Sequence, residues 1–196
     1  SRQLPQNTDN NPFNSSTSWL GSSLSTIGNI AHLRESITNG TALAVSDGSY
    51  DANSNKASAA YTLLDSTGQH GLECSMDVPG DASCQNAYRA EVAGILGALF
   101  LIQLANYIFD QSHGKVAVYC DGKSALEQVF EFSRDIGTAK SKQSDLIMAA
   151  RKVIQNMEVS LDHHHVKGHQ DDEILLELLP LPAQVNVHMD QKAKRH

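Results

Sequence analysis

One stretch restricts the possible folds of this chain more than any other: the apolar run VAGILGALFLI, Val92–Ile102, which continues to Phe109. Gln103 and Asn106 interrupt it, and Arg89 and Glu91 stand immediately before it, so it falls short of a clean membrane span. Val92, Ile95, Leu96, Leu99, Ile102 and Tyr107 recur at helical spacing, which predicts a buried amphipathic helix over about Asn86–Ile108. No basic-then-apolar leader opens the sequence. The expected setting is therefore intracellular, cytoplasm or nucleus, with no membrane partner.

Short strand signals flank this helix. TALAVSDGSY, Thr41–Tyr50, is an apolar run closed by turn residues, and ASAAYTLL (Ala57–Leu64) and Gly71–Val78 follow after turn clusters, predicting an antiparallel meander. Downstream come a strand at KVAVYC (Lys115–Cys120), helices over Ser124–Phe132 and Ser144–Met157, and a strand over Val159–Val166. Ser144 is read as the cap of the second of these helices. Asn186 begins a last helix that the sequence cuts off at His196. A short helix, Asn29–Thr38, stopped by Asn39-Gly40, leads into the first strand. The fold class is α/β, with a mixed five-stranded sheet, three antiparallel strands plus two parallel, flanked by helices. Residues 1–28, rich in Ser, Asn and Thr, read as a polar tail, and 29–196 as the domain.

The chemistry is carried by acids. Asp47 sits inside a strand, where an unpaired charge is costly; a single Asp there is more often a turn or cap residue. Asp121 ends the fourth strand. If the two strands are parallel neighbours, their carboxylates lie about 5 Å apart, beyond the carboxyl ends where such sheets bind ligands. Glu91 is in line with the sheet-facing Ile95, Ala98 and Ile102, and Asp190 lies one turn into the last helix. Clustered carboxylates hold protons unless a cation neutralises them, and oxygen donors suit Mg²⁺ or Mn²⁺ rather than zinc. The three cysteines, Cys74, Cys84 and Cys120, form no CxxC pair and read as packing residues in a reducing compartment. His163 and His165 share a strand face, but no Cys pair makes them a metal site.

SDGSY around Asp47, NAYRAEVAGILGAL around Glu91, VYCDGKSAL around Asp121, HVKGHQ around His169 and NVHMDQKAK around Asp190 occur in one order. In that order the chain, from about Thr41 onward, resembles a ribonuclease H domain, closest to the type found in retroelement reverse transcriptases. The resemblance implies a ribonuclease H-like fold and a metal-binding tetrad of Asp47, Glu91, Asp121 and Asp190. It implies two Mg²⁺ or Mn²⁺ ions, and a mobile histidine, His169, that assists proton movement and product release. The implied activity is endonucleolytic cleavage of the RNA strand of RNA–DNA hybrids beside a reverse-transcriptase module. Ser49, Asn86 and Tyr88 stand where contacts to the hybrid are expected, and Gly48 where a side chain would crowd the substrate.

Two features depart from that pattern. Asp171-Asp172-Glu173 and the cluster Ile174, Leu175, Leu176, Leu178 and Leu179 lengthen the segment before Asp190, as a solvated loop and a candidate lid or partner surface. Only Arg134, Lys140 and Lys142 remain of a basic protrusion, and the net charge of −7 predicts weak hybrid affinity for the isolated domain. The alternatives are a catalytically silent spacer or binding module, and a DNA nuclease or integrase of the same fold.

Overall fold

The computed structural model describes residues 23–135 and 142–196. The polar stretch 1–22 and most of the expected loop after Ser133 lie outside the described residues. Three long strands form the meander: Ala42–Asp51 (β2), Lys56–Leu64 (β3) and Gly71–Asp77 (β4). Lys115–Cys120 (β5) and Ser160–His165 (β6) join parallel on the other side of β2. The expected five strands become six, because Ser25–Ile27 (β1) pairs antiparallel with β4 at the opposite edge, giving the order β1-β4-β3-β2-β5-β6. These three residues, STI, fall in the stretch read as tail. They carry too little apolar pattern to announce a strand, and the open edge of β4 supplies their pairing.

Helices Ile30–Thr38 (α1), Ala87–Phe109 (α2), Lys123–Phe130 (α3) and Ser144–Gln155 (α4) pack in one core cluster against one face of the sheet. The 23-residue α2 lies between β2, β3 and α4, and its apolar side chains are buried on nearly every side. By length and composition it is the one membrane-length helix among the described residues, and 78% of its apolar window is inside the fold. Asn29 caps α1 by accepting from the Ala31 N–H at 3.0 Å, and Gly40, at φ +70°, carries the chain out of it into β2.

Ser144 is the first residue of α4 rather than its cap. The acid behind it, Asp145, is engaged by Arg89 of α2, whose guanidinium makes two bonds to the carboxylate, at 2.9 and 2.7 Å. Arg89 is only 2% exposed and also donates to the carbonyls of Pro79 (2.7 Å) and Lys142 (3.2 Å). Arg151 of α4 donates to the last carbonyls of α3, with Gln128 O at 2.7 Å, the favourable place for a cation on a helix end.

The other face is covered by one helix, Leu181–Arg195 (α5). It begins five residues before the expected Asn186, since a proline in the first turn costs a helix no hydrogen bond and Pro182 is therefore no breaker. Val185, Met189 and Ala193 pack on Leu43, Val45, Ala60 and Leu64. Glu73 of β4 pairs with Lys192 and, at 2.8 Å, with His188, and Ser58 Oγ donates to the Ala193 carbonyl at 2.6 Å.

Candidate active site

The carboxylates converge on the carboxyl ends of β2 and β5, from both faces of the sheet. The parallel register pairs Ser46 with Cys120, so Asp121 lies one step past the ladder, beside Asp47. Alternation along β2 sends Asp47 to the α5 face with Leu43 and Val45, where it is 3% exposed. Asn186 of α5 donates to its Oδ2 at 3.4 Å. Burial, then the charges of Asp121 and Asp190, push the Asp47 carboxyl up to about 8, against the pull of the Gly48 N–H and Lys194.

Glu91 arrives from the other face. An added Cβ on Gly48 would lie 2.4 Å from the Ala90 carbonyl carbon, so α2 rests directly on the β2 backbone there. The need for glycine at 48 is thus helix packing; the expected crowding of substrate is not required to explain it. Burial first, then Asp121 and Asp47, push the Glu91 carboxyl far above the usual range. Asp121 is raised as well, chiefly by burial, while His169 and His165 pull it down. Asp190 is half-buried on α5 and pairs with Lys194 at 2.7 Å.

The end of β6 and the segment after it close on Asp121. His165 Nε2 lies 3.0 Å from the Asp121 carbonyl oxygen, and a Cβ on Gly168 would lie 2.6 Å from Asp121 Oδ2. His169 follows in left-handed conformation, φ 52° and ψ 35°, with its ring exposed. The neighbouring histidines are occupied by stacking: His163 on Phe130, 4.6 Å between centroids, and His164 on Tyr119, 5.1 Å. His163 and His165, on one face of the strand, thus have separate contacts.

The expected substrate residues lie on β2 and at the start of α2. Asn86 caps α2, accepting from the Arg89 N–H at 2.8 Å, and its amide donates to Cys84 O at 3.2 Å. Tyr88 packs against the core, and burial pushes its phenol up to about 12. Ser49 is half-buried on β2 opposite Ser58.

Sequence reasoning missed four contributors. Cys120, read as packing, donates its thiol to Glu91 Oε2 at 3.3 Å. Asn186, Lys194 and His165 touch the acids across long sequence gaps or one turn of α5. Only Lys194, four residues after Asp190 on a helix, carried a readable signal.

The donor set fits a hard divalent cation. Burial and the charges of neighbouring acids raise three of the four carboxyls, a repulsion that positive charge relieves. Asp121 Oδ1 is buried with no hydrogen-bond partner. One ligand atom each from Glu91, Cys120 and Asp121 lie within 4.8 Å of one another. Asp47 and Asp190 act on Asp121 from the α5 side and stand outside that set.

Sheet order, helix placement and the carboxyl-end cluster together define a ribonuclease H-like fold. LC11-RNase H1, isolated from compost by a metagenomic approach, shares it. Its structure in complex with RNA/DNA hybrid superposes with a TM-score of 0.53 at 15% identity, covering 79% of this chain and 94% of that one. A second LC11-RNase H1 structure gives 0.50 at 16% identity, with 80% and 94% covered. The RNase H1 of Halobacterium salinarum gives 0.48 at 16% identity, with 67% and 89% covered. No protein-family profile and no curated protein matches the sequence.

Proposed function

We propose that this protein is a metal-dependent endonuclease that hydrolyses the RNA strand of RNA–DNA hybrids, acting beside a retroelement reverse transcriptase. The observation that carries the reading is the convergence of Asp47, Glu91, Asp121 and Asp190 at the carboxyl ends of β2 and β5. A ribonuclease H1 of the same fold is known bound to RNA/DNA hybrid. Asp47, Glu91, Asp121 and Asp190 would hold two Mg²⁺ or Mn²⁺ ions. When bound, such ions supply positive charge to the attacking and leaving oxygens of a phosphodiester.

The side chains around the acids have separable tasks. Asn186 and Lys194 orient Asp47 and Asp190 from α5. His169, on an exposed turn, exchanges protons with solvent near Asp121, the service the motif resemblance assigns to it. Ser49, Asn86 and Tyr88 are assigned to the 2′-hydroxyl side of the hybrid. The retroelement setting rests on the motif resemblance and on the net charge of −7, which leaves most of the phosphate grip to a neighbouring module.

The test is incubation with end-labelled hybrid and millimolar Mg²⁺, with duplex DNA as the competing substrate. The expected result is internal cuts in the RNA strand that Asp121→Asn abolishes. An intact hybrid at high enzyme, also with a polymerase module supplied, sinks the proposal. Cleavage of duplex DNA instead assigns the site to a DNA nuclease of this fold.

A further inference from the structure

We infer that the acidic site has a second ligand set, Glu91, Cys120 and Asp121, which takes a thiophilic divalent cation such as Co²⁺, Zn²⁺ or Cd²⁺. Among the described residues this is the one group of three or more His, Cys, Asp and Glu side chains whose ligand atoms lie within 4.8 Å of one another. Cys120 ends β5 with its side chain toward α2, fully buried, and Glu91 meets it from the helix. The Sγ and Oε2 atoms are 3.3 Å apart. Bonds of about 2.3 Å to sulfur and 2.0 Å to oxygen span that distance at an angle of about 100°, close to the tetrahedral preference of such ions. The pair is therefore already set at a chelating separation.

Two further features complete the set. The Gly122 N–H donates to Sγ at 3.3 Å, a contact that favours thiolate once the thiol proton is lost. Asp121 Oδ1, buried and without a hydrogen-bond partner, is a donor in want of a cation. A hard ion such as Mg²⁺ has little affinity for sulfur and leaves that thiol in place, donating to Glu91. A softer ion displaces the proton to solvent and draws Glu91 onto sulfur-side coordination. The other cysteines lack this setting: Cys74 is buried in the main core under α2, and Cys84 lies in the 3₁₀ turn Ala82–Cys84.

Binding follows from the donor set alone, and only its consequence for cleavage rests on the nuclease reading. That consequence is inhibition, since a softer ion pulls Glu91 away from the hard-cation set.

The experiment is a Co²⁺ titration of the metal-free protein, read by the thiolate-to-cobalt charge-transfer absorption in the near ultraviolet. Wild type and Cys84→Ser are expected to give the band, Cys120→Ser to lose it, and Asp121→Asn to need about tenfold more Co²⁺ or higher. Circular dichroism of each variant establishes folding, and Asp121→Asn keeps the test open if Cys120→Ser does not fold. No band in wild type, a band that survives Cys120→Ser, or an unchanged affinity in Asp121→Asn overturns the inference. A protein that gives the band but cuts no hybrid overturns the nuclease reading alone. One that cuts with Mg²⁺ and gives no band overturns this inference alone.

Discussion

Asp47 is a carboxyl shut away from water with the charges of Asp121 and Asp190 acting on it. Its folded value near 8, against 3.8 ordinarily, fixes a sign. Between those values the folded chain keeps a proton that the unfolded chain has released, so stability falls as pH rises through the window. Thermal unfolding in chelator from pH 4 to pH 8 is expected to show this fall, and Mg²⁺ to reduce it. Asp47→Asn should flatten the slope, raise metal-free stability at neutral pH and abolish cleavage. Equal slopes in the two proteins would contradict the assignment. Arg89 is the opposite case, a buried charge whose donors reach the Pro79 and Lys142 carbonyls and both oxygens of Asp145. Arg89→Met removes donors from the Pro79 and Lys142 carbonyls and should cost about 2–4 kcal/mol in urea unfolding, less than a fully buried pair because Asp145 is 60% exposed.

The elements position these residues by direct backbone contact, most plainly where α2 crosses β2 at Gly48. Gly48→Ala must push α2 away from the strand and carry Glu91 with it. The expected outcome is a fold weakened by about 1–3 kcal/mol and cleavage reduced about 100-fold, read together by melting and hybrid assay. A wild-type rate would show that Glu91 does not depend on this contact. Most elements were legible because their signals are local: alternation and turn clusters in β2, β3 and β4, and helical spacing in α2. The rest depended on neighbours distant in sequence. β1 is three residues whose pairing is decided by the edge of β4, and the start of α5 was hidden behind Pro180 at its cap and Pro182 in its first turn. The acids could be read from their order, but the Cys120–Glu91 contact spans 29 residues and joins a strand to the helix packed on that face of the sheet. Asn86, read from the sequence as the first residue of this helix and as an expected contact to the hybrid, is the cap of α2, accepting from the Arg89 N–H.

At the scale of the whole molecule, the charge of −7 is concentrated in function as well as in number, since the site itself is acidic. Hybrid binding by the isolated protein should be weak, with a slope of log affinity against log salt of about −1 to −3, measured by fluorescence anisotropy. A slope steeper than about −6 would reveal a basic surface that composition conceals. The apolar segment Ile174–Leu178, where Leu175 and Leu178 are 70% and 73% exposed, stands beside the N-terminus of α5. Among the described residues that helix is the one helix on its sheet face, while four helices share the other. The two faces are thus unequal in how readily they come apart. α5 is the piece that can open with the rest closed, so its amides should exchange with deuterium sooner than those of α2 and β2. Mg²⁺ bound between Asp190 and the strand-end acids would act as a clasp across the sheet and slow that exchange.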